Sequence, residues 1–313
     1  MTSEHCYFTV FWLKVPGPIE IGDALLLPIP TESDNGVFGT EFQQEWLSRW
    51  LSVDGDAASL IRVSFDQALG DDAVDVARRV AESALARLRL ALDKERWLPR
   101  EQLRFAIGGV RWVPGHVSGF ARTGALAFSF EPEEQDPALQ RLASDPIINL
   151  PLTPENDAQR RASLAADWMT RAYMESNETI QLLFGFSALE ALLGNKASGL
   201  KGPELAIRRA TLAFEVSGMF RHPSKTFDLY DQVRSAAVHG EQAPELSKNE
   251  ASMFISDIRD AIEQYLTYAK EHNLTKRSQI RAGLDTCEAR SKIVARLVDE
   301  NPKKWSPLAE ARA

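Results

Sequence analysis

Cysteine is nearly absent from this chain. Cys6 and Cys287 are the only two in 313 residues, too few for a disulfide framework and too isolated for a zinc site, so both read as packing residues. Long apolar runs are missing as well. No stretch approaches the roughly 20 residues of a membrane-spanning helix. Met1 to Gly17 carries Glu4 where a secretory leader is positive and Lys14 within its apolar stretch, so the expectation is a cytoplasmic globular protein. Positive charge is in deficit, with 36 Lys and Arg against 44 Asp and Glu. That balance argues against non-specific coating of nucleic acid. Nucleotide loops are also lacking. Gly108-Gly109 and Gly115 fit neither Gly-x-Gly-x-x-Gly nor Gly-x4-Gly-Lys-Ser/Thr and read as a turn or bulge. His116 has no second His or Cys at ligand spacing and reads, like His5 and His272, as a surface residue. No metal or cofactor is expected.

What is present is a chain that changes character part-way. Its length and 44% hydrophobic content allow one large or two ordinary domains. Residues 1–130 read as a mixed α/β domain with strands over Tyr7 to Val15, Ser59 to Phe65, Leu103 to Val113 and Gly124 to Phe130. Helices are expected over Glu41 to Leu51 and Asp71 to Trp97. Trp12, Trp46, Trp50, Trp97 and Trp112 are concentrated here and read as core, with a ligand pocket as the alternative. Lacking any catalytic pattern, this half is expected to sense a trigger ligand or bind a partner protein. Pro132, Pro137, Pro146, Pro151 and Pro154 then mark residues 131–154 as a linker. Ile147, Ile148, Leu150 and Leu152 keep it from being a free tail. From 155 onward the pattern is helical: Asp157 to Met174, Glu178 to Leu193, Lys201 to Phe220, Phe227 to His239 and Lys248 to His272. The fold class is α+β, a mixed N-terminal domain followed by an all-α bundle over 155–274. A C-terminal helix and tail over 275–313 carries a short heptad-like seam, and its final dozen residues are expected to fray.

The chain is organised around residues 227–241. Leu229, Val233, Ala236 and Ala237 recur at helical spacing, and Gly240 suits a left-handed position beyond the helix end. Arg234 and His239 stand out. Five positions on a regular helix correspond to roughly 140° and about 7.5 Å, so the two side chains of one chain do not converge on one atom, whereas two facing helices can bring them together. The run Leu229-Tyr-Asp-x-x-Arg-Ser-x-x-Val-His-Gly240 resembles the signature of the HEPN superfamily, especially its ApeA-like branch. Phe186-Ser-Ala-Leu-Glu-Ala-Leu-Leu193 and Leu205-Ala-Ile-Arg-Arg-Ala-Thr-Leu-Ala213 resemble two further helices of that domain. The resemblance covers about residues 156–274 and leaves the N-terminal half unaccounted for.

It implies a homodimer in which two Arg-x4-6-His motifs face each other and cut RNA without a metal, in antiphage defence or stress. Arg234 and His239 match the catalytic positions, Ser235 the polar position after the arginine, and Tyr230 and Asp231 are supporting candidates. Those side chains suit the reaction, since an imidazole can move protons and a guanidinium can stabilise phosphoryl charge. Charge is distributed to match. Residues 196–225 hold six basic and two acidic side chains, and 275–313 hold nine and five. Within the first of these, Lys201, Arg208, Arg209 and Lys225 are candidate RNA contacts. A structural reading stands beside the catalytic one. Arg234 then stacks on Tyr230 or pairs with Asp231 or Glu190, His239 caps carbonyls at the helix end, and the domain is a non-catalytic module binding RNA or protein.

Overall fold

A computed structural model of the chain describes residues 4–11, 13–28, 57–65, 73–96, 106–113, 116–118, 128–129, 141–151, 153–195, 201–240, 246–301 and 303–305. Two compact units result, Met1–Leu152 and Thr153–Ala313. The first carries an antiparallel sheet and the second is helical, an α+β chain. Among the described residues no helix is long and apolar enough to cross a membrane. The helix expected over Glu41 to Leu51, Trp12, Trp46, Trp50, Trp97 and Gly115 lie outside the described residues, as do the side chains of Trp112 and His116.

In the first unit the strands are β1 Glu4–Phe11, β2 Leu13–Lys14, β3 Ile19–Ile21, β4 Ala24–Pro28, β5 Ala57–Phe65, β6 Ala106–Val113, β7 His116–Ser118 and β8 Phe128–Ser129, with helix α1 Ala73–Arg96 between β5 and β6. Six of them form one sheet in the order β3-β4-β5-β1-β6-β7, while β2 pairs in parallel with β8. β1 holds a central place because both its faces are apolar enough to bury: Cys6, Phe8 and Val10 on one side, Tyr7 and Thr9 on the other. The two glycines of β6 form a bulge. Phe8 pairs with Arg111 and Val10 with Ile107, so Thr9 alone faces Gly108, Gly109 and Val110. The hairpin of β3 and β4 turns through Gly22 at φ 56°, a two-residue loop that favours glycine. Residues 141–151 belong to this unit. Leu142, Ile147, Ile148 and Leu150 are buried, and the Arg87 guanidinium of α1 donates to the Leu150 and Pro151 carbonyls.

The second unit contains α2 Asp157–Met174, α3 Glu178–Leu193, α4 Lys201–Ser217, α5 Ser224–Leu229, a π-helical segment Tyr230–Ser235, α6 Ala236–His239, α7 Lys248–Glu271, α8 Arg277–Thr286 and α9 Glu288–Glu300. Side-chain caps define the helix starts. Asn156 accepts from the Gln159 N–H, Asn177 from the Ile180 N–H, and Ser247 with Glu250 closes a capping box. α4 stops three residues before the expected end because Gly218 takes φ 67°. α7 is the central post, with Ile255, Ile258, Ile262 and Tyr265 fully buried. α3 crosses it closely at Gly185, where an added Cβ would lie 2.8 Å from the Phe254 ring.

The C-terminal segment differs from its expected description in its seam. Helix α8 ends at Thr286 and α9 begins at Glu288, so the heptad seam is broken at Cys287 and reset. Burial runs through Ile280, Leu284, Ile293 and Leu297, while Ser291 is exposed. Of the final dozen residues, expected to fray, 303–305 are described and form a helical turn, and the rest lie outside the described residues. Trp305 is buried in a cluster with Ile207, Ala210, Ile293 and Leu297, and Phe227 packs on the same cluster. α8 and α9 are thus part of the bundle. Asp157 of α2 accepts the Arg277 N–H at the start of α8, at 3.0 Å.

Candidate functional site

The helix expected over Phe227 to His239 forms, begins at Ser224, and is not regular. Across Tyr230–Ser235 the hydrogen-bond ladder widens to a π turn. A π turn adds one residue to the ladder and turns every later side chain by about 100° relative to an uninterrupted helix. His239 therefore does not stand where regular spacing places it. The helix ends as expected, with Gly240 at φ 73° and its N–H donating to the Ala236 carbonyl.

Tyr230 seats the π segment. Its ring meets Phe186 of α3 edge-on with centroids 5.2 Å apart, and Gly202 of α4 comes so close that a Cβ there would lie 2.7 Å from the ring. Its hydroxyl donates to Glu190 Oε1 at 3.3 Å. The same oxygen lies 3.0 Å from Arg234 Nη2, and the Arg234 guanidinium rides over the Tyr230 ring at 4.9 Å. Burial, and then the neighbouring Glu190 charge, push the Tyr230 phenol above its ordinary pKa, so it remains a neutral donor. Glu190 sits near the end of α3, where the Arg277 guanidinium reaches the Glu190 and Ala191 carbonyls and Arg281 reaches that of Gly194. These cations complement the carbonyl end of the helix.

The Arg234 side chain is one quarter exposed. One carboxylate oxygen and one ring orient it, which leaves most of its five N–H donors free to meet an anion. His239 is exposed and makes no hydrogen bond or ion pair with any described residue. Ser235 is half-buried and Asp231 exposed. Glu190, Tyr230 and Arg234 are thus in mutual contact, as the structural reading of Arg234 requires, with Glu190 rather than Asp231 as the partner.

The candidate RNA contacts separate sharply. Arg208 pairs bidentately with Asp285 at 2.9 and 2.8 Å and donates to the Leu193 carbonyl. Arg209 pairs bidentately with Asp257 at 3.1 and 2.9 Å and reaches Gln264 Oε1 at 2.7 Å. Both are buried. As phosphate contacts for a strand on the surface these two are corrected: their donors face carboxylates inside the bundle. Lys225 is exposed, and the Lys201 side chain lies outside the described residues. Of the cations over 196–225, Arg208 and Arg209 are therefore internal, while Arg221 and Lys225 reach the surface.

Comparison of the chain with models of known families, with curated proteins and with solved structures found no match. The site stands on its own geometry. Sequence reasoning missed Arg221, which joins Arg209 on Asp257 and reaches Asp260 at 2.8 Å. The spacing of Asp257 and Asp260, one turn apart on a strongly amphipathic helix, was the available signal for a buried cationic partner.

Proposed function

We propose that the helical unit is a HEPN-type endoribonuclease, acting on RNA in a cleft shared by two copies of the chain. The reading rests on the resemblance of residues 156–274. Its main physical support is Arg234, a guanidinium held in orientation by Glu190 and Tyr230 yet open to solvent, with the exposed His239 at the end of the same helical stretch.

The reaction requires only proton transfer and charge stabilisation. The RNA 2′-oxygen forms a bond to the adjacent phosphorus while the bond to the 5′-oxygen breaks. A base takes the 2′-hydroxyl proton and an acid gives one to the departing oxygen, leaving a 2′,3′-cyclic phosphate and a 5′-hydroxyl. His239 suits the proton transfers, and Arg234 suits the charge on the non-bridging oxygens. With one motif histidine per chain, separate acid and base need a second protomer or a water. In this reading the activity serves antiphage defence or a stress response, with the N-terminal unit as restraint or trigger.

A second reading is favoured by the same ion pair. An Arg234 held by Glu190 and Tyr230 suits a non-catalytic helical module that binds RNA or a protein. Incubating the full chain with single-stranded and tRNA-like RNA in EDTA decides between them. The nuclease reading expects cyclic-phosphate products that Arg234→Ala and His239→Ala each abolish without loss of folding or dimerisation. Cleavage that survives both substitutions, or a monomer with full specific activity, overturns it.

A further inference from the structure

A cavity of about 310 Å³ opens between α4, the segment 221–223, α5 and α7. No step of the proposed cleavage uses it. Its volume is near the lower end of the range for small-molecule sites, roughly 300 to 1,000 Å³. Its walls are mainly apolar, from Ala206, Ala210, Leu229, Met253 and Phe254, whereas its charged lining is three permanent cations, Arg209, Arg221 and Lys225, against one carboxylate, Asp257.

The three cations are not equivalent. Arg209 is a fixed wall, with its donors engaged by Asp257 and Gln264. Arg221 is nearly one third exposed and holds Asp257 and Asp260 through one nitrogen each, leaving further N–H donors of its fork available. Lys225 makes no ion pair with a described residue, and its Nζ lies 3.9 Å from the Met253 sulfur. The carboxylate whose charge it feels, Glu250, is already engaged in the α7 capping box. His222, also in the lining, is fixed by two contacts: its Nδ1 accepts the Ser224 N–H and its Nε2 faces Glu300 at 2.7 Å.

An apolar chamber with one ammonium unpaired among the described residues, Lys225, beside an arginine fork that keeps free donors, Arg221, suits a ligand with a flat apolar body and an anionic group. We propose that this cavity binds a free nucleoside monophosphate, its base against Phe254, Leu229 and Met253 and its phosphate between Lys225 and Arg221. The site adjoins the proposed catalytic segment. Leu229 is the residue before Tyr230, and Phe254 packs on Phe186 with centroids 4.5 Å apart, the same ring that meets Tyr230. Binding itself does not depend on the nuclease reading.

Thermal-shift measurements and equilibrium dialysis of the full chain with AMP, GMP, CMP and UMP test the site, with adenosine and inorganic phosphate as half-ligands. At least one monophosphate is expected to raise the melting temperature in a concentration-dependent way, and more than either half-ligand. Lys225→Glu, at an exposed position, is expected to weaken that binding by about tenfold or more, and Thr226→Trp, at a lining position, to block it by filling the cavity. Arg234→Ala and His239→Ala are expected to bind as the parent chain does. No binding of any monophosphate, or binding that Lys225→Glu leaves intact, overturns the proposal. A chain that binds AMP but cuts no RNA keeps this site and refutes only the nuclease.

Discussion

Two arginines of the helical unit, 25 positions apart, show opposite uses of the same side chain. Arg209 is buried, forked onto both oxygens of Asp257, and burial pushes its pKa down to about 10. Arg234 meets a single oxygen of Glu190 and the face of Tyr230 and stays a quarter exposed. A guanidinium whose donors are all matched inside a bundle is architecture, whereas one with donors to spare at the surface is available to a ligand. Removing partners separates the two. Asp257→Ala strands the buried Arg209, while Arg221 keeps Asp260, and is expected to cost about 3–5 kcal/mol in urea unfolding. Arg234→Ala is expected to cost under about 1 kcal/mol, yet to lower RNA cleavage by about a hundredfold or more. An Arg234→Ala chain that unfolds as readily as Asp257→Ala erases the contrast and returns Arg234 to the scaffold.

The contrast sharpens one step back, at the seat of Tyr230. Gly202 lies against that ring, and a methyl group there would sit 2.7 Å from it. The ring is gripped by Phe186 and by its bond to Glu190, so it cannot swing aside without disturbing the orientation of Arg234. Gly202→Ala is therefore expected to cost about 1–3 kcal/mol and to reduce cleavage with it. Gly218→Ala meets no atom within 4 Å but must hold φ 67°, so its cost is backbone strain alone and cleavage is expected to persist. Equal loss of cleavage in both variants breaks the link between the Tyr230 seat and the site.

Much of the architecture was legible because it rests on local chemistry. Asn156, Asn177 and Ser247 announce three helix starts, and Gly240 announces the end of the motif helix. Gly108-Gly109 announces the bulge opposite Thr9. The hairpin of β3 and β4 was missed although Gly22-Asp23 between short apolar runs is a usable signal. What local chemistry does not encode was misread. The π turn has no composition of its own; it depends on how Tyr230 meets Phe186 and Gly202 across the bundle. Arg208 and Arg209 looked like surface charge because their partners, Asp285 and Asp257, lie 77 and 48 residues away. At the candidate site the sequence singled out Tyr230 and Arg234 and weighed Glu190 or Asp231 as a partner of Arg234, but it did not reveal Arg221 or the cavity beside it.

The smallest effects are expected where α2, α7 and α8 meet, a polar cluster that lies between the two extremes. Burial works against the Asp157 carboxylate, but the Arg277 backbone N–H together with Arg160 and Arg161 holds its pKa below the ordinary range. Because the folded value is depressed, Asp157 contributes stability above about pH 4 that is lost as pH falls through the folded value. Asp157→Asn is expected to flatten the acid limb of stability in that window while changing little in its slope at neutral pH. Beside it the Tyr265 hydroxyl is buried with no hydrogen-bond partner among the described residues, and burial, then the Asp157 charge, push its pKa up. Removing an unsatisfied hydroxyl while keeping the ring forfeits no bond, so Tyr265→Phe is expected to be neutral or stabilising by up to about 1 kcal/mol. A clear loss of stability in this variant would mean that the hydroxyl is hydrogen-bonded after all, and that this cluster belongs with the matched, Arg209-like side of the molecule.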